Sequence, residues 1–508
     1  MVMGEKKKQQ GYLLYWLLVV LPVYLVAVPP ALGRAGNDTG RIRAAVVKIR
    51  NVSQRPNYES PWEEDDFSGG RGSGVIIDGN RILTSAHVVS DSKYLEIEKE
   101  KSGTPYRGRV AFIAHDCDLA LVEVIDPAFF EDTTSLSFNE KIPELGSLVL
   151  VYGFPSGGRR ISVTRGIVSR IDYTLYSHSA RDYHLILQID AAINSGNSGG
   201  PVLQDGKIVG IAFQVIKPSE NVGHVIPITV IDHFLEDIAD GRYDGYPDLG
   251  IILSNLLNPA YRAFKGLPED KTGVVVSDLV AGHSARGIIL PGDILLSIDG
   301  KSIRNDGTIL IGTESYQLEE VVERKQVGDE VVFDLIRGGE VIASRVPLKK
   351  NVEMMKSWNE YEAKPEYFVF GGLLFQPLSR EYLKSWRKDW WNRADPRLLY
   401  YFSYYNQDKL CLDRPELILL SRVLPAPANQ YYTGLADRVV ERVNGRKIAT
   451  LRDLVAAFEA QTGDYHLIEF EGDASPCVLS TLQIKKENPR ILEQYGVDRD
   501  RHLAQQDD

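Results

Sequence analysis

Asn194-Ser195-Gly196-Asn197-Ser198-Gly199-Gly200-Pro201 is the stretch on which the reading of this chain turns. A serine set between glycines and followed by proline lets the backbone turn sharply, present one hydroxyl and aim several N–H groups at the same point. Ser198 is therefore the candidate nucleophile, and the N–H groups of Gly196 and Ser198 are candidate donors to an oxyanion.

The same residues satisfy the looser Gly-x-Ser-x-Gly pattern, in which the serine ends a strand and starts a helix. The residues after Ser198 do not read as a helix. Pro201-Val202-Leu203, a turn at Gln204-Asp205-Gly206-Lys207 and Ile208-Val209-Gly210-Ile211-Ala212-Phe213 read as a β-hairpin. That pattern also needs its acid and histidine after the serine, whereas the best partners lie upstream. His87 sits in Arg81-Ile82-Leu83-Thr84-Ser85-Ala86-His87-Val88-Val89, and Asp118 opens the apolar run Asp118-Leu119-Ala120-Leu121-Val122. The order His, Asp, Ser is that of a chymotrypsin-like arrangement. Asp116 is the competing carboxylate, two residues upstream, and reads as a solvated loop residue if Asp118 is the acid. His115-Asp116-Cys117-Asp118 is not a metal cluster, because neighbouring strand residues point to opposite faces.

Thr84-Ser85-Ala86-His87-Val88-Val89, Asp118-Leu119-Ala120-Leu121 and Gly196-Asn197-Ser198-Gly199-Gly200-Pro201, in that order, resemble the HtrA/Deg family of serine proteases. Gln188-Ile189-Asp190-Ala191-Ala192-Ile193 and Gly223-His224-Val225-Ile226-Pro227 extend the likeness, which is greatest to the plant-type Deg branch with its degenerate second PDZ domain. The resemblance implies a mainly β chain: two six-stranded antiparallel barrels followed by two PDZ-like α+β domains. It implies a serine endopeptidase with His87, Asp118 and Ser198 as triad, Gly196 and Ser198 as oxyanion hole, and no metal or organic cofactor. Residues 152–165 and 173–182 would be the loops that switch the site, and the strand around Ile211-Ala212-Phe213-Gln214 would wall a pocket for small or medium aliphatic side chains. Unfolded exported proteins are the implied substrates, and a trimer or multiple of trimers the implied assembly. The alternative is a chaperone or scaffold in which peptide binding outweighs cleavage.

The 508 residues suffice for two to four domains at roughly 100–200 residues each. A net charge of -11 excludes a general role on nucleic acid, since no excess of Lys and Arg exists to displace counterions. Lys6-Lys7-Lys8, the apolar run of residues 12–28 and the small residues near Ala35 form a secretory signal or a retained membrane anchor. Either one predicts an exported protein, periplasmic or secreted. Three cysteines make no disulfide framework, although Cys411 and Cys477 share a region and one bridge between them stays open.

The boundaries expected are a signal or anchor over 1–35, a protease domain over 36–242, a first PDZ domain over 243–350, a divergent PDZ-like domain over 351–490 and a charged, partly disordered tail over 491–508. A strand is expected at Ala44-Ala45-Val46-Val47-Lys48-Ile49, and Glu63-Glu64-Asp65-Asp66 reads as a solvated acidic face. Asn37-Asp38-Thr39 and Asn51-Val52-Ser53 are formal glycosylation acceptors. Residues 232–238 read as a helix closing the protease, and the Gly- and Asp-rich 241–247 as a linker. Leu249-Gly250-Ile251 resembles the loop with which a PDZ domain cups a peptide C-terminus, with 288–301 as a strand pair and 316–325 as groove helix. Phe368-Val369-Phe370-Gly371-Gly372-Leu373-Leu374-Phe375 is the candidate first strand of the second PDZ-like unit, and 439–448 with 451–460 its later strands and helix. The aromatic insertion 386–405 suits a protein interface or a buried core equally. No ligand is assigned to this second domain.

Overall fold

A computed structural model describes residues 35–503 apart from 101, 157, 159, 216–221, 313, 351–354 and 387–388. The signal-or-anchor segment over residues 12–28 lies outside the described residues. Among those described, no helix is long and apolar enough to cross a membrane.

The first barrel closes in the order β1-β2-β3-β6-β5-β4, from β1 (Val46–Ser53), β2 (Ser68–Ile77), β3 (Arg81–Ser85), β4 (Ser92–Lys99), β5 (Pro105–Ala114) and β6 (Leu119–Val124). The second closes as β10-β11-β12-β9-β8-β7, from β7 (Leu148–Gly153), β8 (Ser162–Leu175), β9 (Tyr183–Ile189), β10 (Pro201–Gln204), β11 (Lys207–Val215) and β12 (Gly223–Pro227). Period-2 alternation decides which core each residue enters. Val47, Ile49, Ile82, Ala120 and Val122 fill the first barrel. Their neighbours Val46, Leu83, Leu119 and Leu121 face outward and join Tyr152, Leu203 and Phe213 in the seam between barrels. The site is built along that seam.

The strand expected from Ala44 starts at Val46, because Ala44 and Ala45 end the helix Ala35–Ala45. Asn51 is 4 % exposed, and its side-chain N–H donates to the Ser90 carbonyl at 3.0 Å, so it carries no glycan. The 241–247 linker is docked, not free: Tyr243 donates its hydroxyl to Asp116 at 2.5 Å, and Tyr246 stacks on His233 at 3.9 Å. Asp116 is accordingly a bonded, half-buried residue, not a solvated one.

In the first PDZ-like sheet, strand Ile251–Ser254 lies at the edge, pairing with Val274–Leu279 on one side. The expected groove helix is shorter than 316–325, spanning Glu319–Glu323 after a strand over Glu314–Gln317. In the second sheet the corresponding strand, Leu373–Pro377, has neighbours on both sides, Ile418–Val423 and Tyr367–Phe370. Residues 368–375 are thus a hairpin turning at Gly371 and Gly372, not one strand, and the chain covers its own would-be peptide edge. Phe370 fills the space against helix Leu451–Glu459, its ring 4.4 Å from that of Phe458.

The described part of the charged tail, up to residue 503, folds back onto the second PDZ-like domain. Helix Thr481–Gln494 is followed by Arg501–His502, which pairs with Tyr367–Phe370; the apolar Ile484, Ile491 and Val497 explain why this charged stretch folds back. The aromatic insertion divides. Tyr382, Leu398 and Tyr405 are buried with Cys411, whereas Trp391, Tyr400 and Tyr404 are exposed. Cys117, Cys411 and Cys477 are free and buried; Cys411 and Cys477 belong to different cores, so the bridge does not form.

Candidate active site

His87 stands on the short helix Ala86–Val89 at the end of β3, and Asp118 on the turn into β6. Because β3 and β6 pair with Ser85 opposite Leu119, the two residues meet at one end of the barrel. Asp118 is 1 % exposed and holds the helix start by three bonds. Its carbonyl accepts from the Ala86 N–H (3.0 Å), one carboxylate oxygen from the His87 N–H (2.8 Å), and the other from Nδ1 of the His87 ring (2.7 Å). With the carboxylate ionised, the imidazole must donate at Nδ1, leaving Nε2 as a base. Asp118 has a left-handed backbone, φ +54°, a conformation that Asp tolerates better than most residues.

Burial by itself would lower the His87 pKa, but the charge and hydrogen bond of Asp118 outweigh it and raise it above the ordinary value. Burial would raise Asp118; the His87 charge, with that of His178, and the hydrogen bonds from His87 bring it below the usual carboxylate range. The His87 side chain keeps 34 % of its surface open.

Ser198 is presented from the second barrel. Gly199, at φ +80°, is pressed so closely against β2 and β3 that a Cβ there would lie 2.2 Å from both the Ser73 carbonyl and the Thr84 hydroxyl. The Ser198 carbonyl accepts from the Ser73 N–H at 2.8 Å. Its own hydroxyl donates to the Phe213 carbonyl at 3.1 Å.

Ser73 is the residue that motif reading missed. It is wholly buried, and its hydroxyl donates to the Gly196 carbonyl at 2.7 Å and accepts from the Phe154 N–H at 2.8 Å. One side chain of the first barrel thus pins the loop carrying Gly196 and Ser198. Its position before Gly74 in a glycine-rich strand was the sole signal. The neighbouring Asn197 is 1 % exposed, and its side-chain amide has no partner among the described residues.

Leu249 and Ile251, which flank Gly250, line a cavity of about 480 Å³ between the first PDZ-like domain and the protease. Gly250 has φ +65°, and a Cβ there would strike His283 at 2.3 Å. Its N–H already donates to Asp248 at 2.9 Å, and Leu249 packs into the domain core. Across the cavity, His184 on β9 is bonded through Nδ1 to Glu323 of the groove helix at 2.5 Å. Burial opposes the charge on His184, but Glu323, Asp182 and Asp116 raise its pKa to about 9. No cluster of three metal-binding side chains occurs among the described residues.

Residues 72–211 match the trypsin-like peptidase domain, and residues 356–503 match a PDZ domain. Protease Do-like 4, mitochondrial, of Arabidopsis thaliana is 31% identical over 455 residues, covering 89% of this chain and 84% of that protein. Protease Do-like 2, chloroplastic, of the same plant is 33% identical over 463 residues, covering 90% of this chain and 74% of that protein. A solved HtrA-type protease, AlgW with a decapeptide, superposes with a TM-score of 0.48 at 22% identity, covering 62% of this chain and 98% of that one.

Proposed function

Given that the chain belongs to the Do-like (Deg) serine endopeptidases, we propose that Ser198, His87 and Asp118 are its catalytic triad and that it cleaves unfolded or damaged exported proteins. The observation that carries the assignment is the doubly bonded His87–Asp118 pair, set at the seam where the glycine loop presents Ser198. His87 Nε2 takes the Ser198 proton as the hydroxyl attacks a peptide carbonyl, then returns it to the leaving amine. Asp118 keeps the imidazole in the required tautomer and balances its positive charge. The Gly196 and Ser198 N–H groups receive the oxyanion, a contribution worth about 3–4 kcal/mol per donor.

In the conformation described, the Ser198 hydroxyl is given to Phe213. For attack the hydroxyl donates to His87 Nε2 instead. Peptide recognition is proposed at the open edge Ile251–Ser254, where an extended C-terminal segment adds a strand beside Leu249, Gly250 and Ile251. A homo-oligomer and export belong to the same proposal, export supported by Lys6-Lys7-Lys8 and the apolar run of residues 12–28, which serves as a cleaved signal or a retained anchor.

The test is digestion of a reduced, unfolded model protein by the wild type and by Ser198→Ala, with and without peptides bearing free apolar C-termini. Cleavage by the wild type alone is expected. Proteolysis by the variant removes Ser198 from the mechanism. Peptide binding without cleavage by either protein favours a chaperone or scaffold.

A further inference from the structure

The chain entering the C-terminal PDZ-like domain lies against the back of the triad. Tyr361 stacks on two histidine rings, His178 at 4.2 Å and His115 at 4.7 Å. Its hydroxyl and the Asn359 side-chain N–H both donate to the His178 carbonyl, at 2.9 and 2.6 Å. His178 Nε2 and His115 Nδ1 are hydrogen-bonded at 2.9 Å, and His115 Nε2 meets Glu362 at 2.7 Å. The His178 ring lies 6.3 Å from that of His87.

Glu362 also holds the segment just after His87. Its N–H donates to Asp91 at 2.8 Å, and the Asp91 N–H donates back to its carboxylate at 2.6 Å. Both residues have left-handed backbones, φ +55° and +53°. Outside glycine such backbones cost free energy and persist where surroundings enforce them. One short strap therefore touches the chain four residues after His87, three residues before Asp118, and the loop carrying His178.

We propose that Tyr361 and Glu362 are positioning residues for the triad, holding His178 and His115 as a stacked wall behind Asp118. The C-terminal domain is then part of the catalytic unit, which suits a domain whose own peptide edge is covered. His178 fits this role: burial first, and the neighbouring His115 and His87, lower its pKa to about 4, against the pull of Asp118 and Glu362. The groups facing this cluster are Asp118 and His87 from the triad, His115, Asp91, Arg55, and Glu381 beyond Tyr361. Removing the Glu362 charge, or freeing the His178 carbonyl, loosens the Asp118–His87 pairing that raises the imidazole, so the His87 pKa falls.

This inference rests on the triad assignment. Its test uses the full chain and compares wild type, Glu362→Gln and Tyr361→Phe. The readouts are kcat and KM for a fluorogenic peptide across pH, thermal melting, and deuterium exchange at the His87 ring C2, which reports that residue's titration without turnover. Expected for Glu362→Gln is a kcat lower by about tenfold at unchanged KM, as for a slightly misplaced catalytic group. The acid limb and the His87 exchange midpoint should both move to lower pH. Tyr361→Phe loses a single hydroxyl, keeps the fold, and should move both in the same direction; it decides the matter if Glu362→Gln does not fold. A uniform loss across pH with the His87 midpoint unmoved, or wild-type behaviour, overturns the proposal. A wild type that does not cleave refutes the triad reading instead, and the exchange midpoints still decide this one.

Discussion

Replacing Ser73 by alanine tests whether the first barrel holds the nucleophile loop of the second. The hydroxyl serves two backbone groups, the Gly196 carbonyl and the Phe154 N–H, inside a site with no exposure. Alanine leaves the Phe154 N–H unpaired at a cost of about 1–3 kcal/mol and removes a bond to Gly196 worth about 1 kcal/mol, giving roughly 2–4 kcal/mol in all. Spread over a domain of this size, that lowers the melting temperature by roughly 5–10 °C. If half of it falls on the loop that orients the oxyanion donors, kcat drops about tenfold, since each 1.4 kcal/mol is a factor of ten. The assay is kcat and KM on a fluorogenic peptide beside a melting curve. Ser53→Ala, which removes an exposed hydroxyl bonded to Ser68, is the control and should change neither by much. A Ser73→Ala protein with kcat within twofold of wild type and an unmoved melting temperature refutes the reasoning.

The titrating groups set two further outcomes. Because Asp118 raises the His87 pKa, kcat/KM should climb with pH along a limb above the ordinary histidine value of about 6.5; a limb at or below that value contradicts the paired geometry. His184, raised to about 9 beside Glu323, contributes stability that is complete below its ordinary value near 6.5 and lost as pH rises through about 9. Glu323→Gln should therefore lower the urea midpoint near neutral pH and flatten its decline above pH 8, and a variant with the wild-type pH profile would show that the contact between protease and first PDZ-like domain does not depend on this pair.

The candidate site was legible where its chemistry is local. Gly199 must be glycine because of its backbone and its closeness to β2 and β3, and this requirement shows in the motif around Ser198. The barrels were legible because alternation along β1, β3 and β6 states which residues face inward. The charged C-terminal segment misled because its few apolar residues, Ile484, Ile491 and Val497, are spaced for a helix that only the second PDZ-like sheet can receive. The acceptor triplet at Asn51 stayed formal, because a triplet says nothing of burial and this asparagine is buried.

What the sequence by itself determined was the candidate triad and the folds that carry it, since backbone conformation, strand period and the His, Asp, Ser order are properties of short stretches. Tertiary structure alone decided that Ser73 grips the nucleophile loop, that the second PDZ-like domain fills its own groove with Tyr367–Phe370, and that Glu362 meets Asp91 across 271 residues. These are pairings of a hydroxyl, a strand edge and a carboxylate with partners far along the chain. Each has many possible partners in sequence, and only close packing, which makes an unpaired buried polar group costly, selects one.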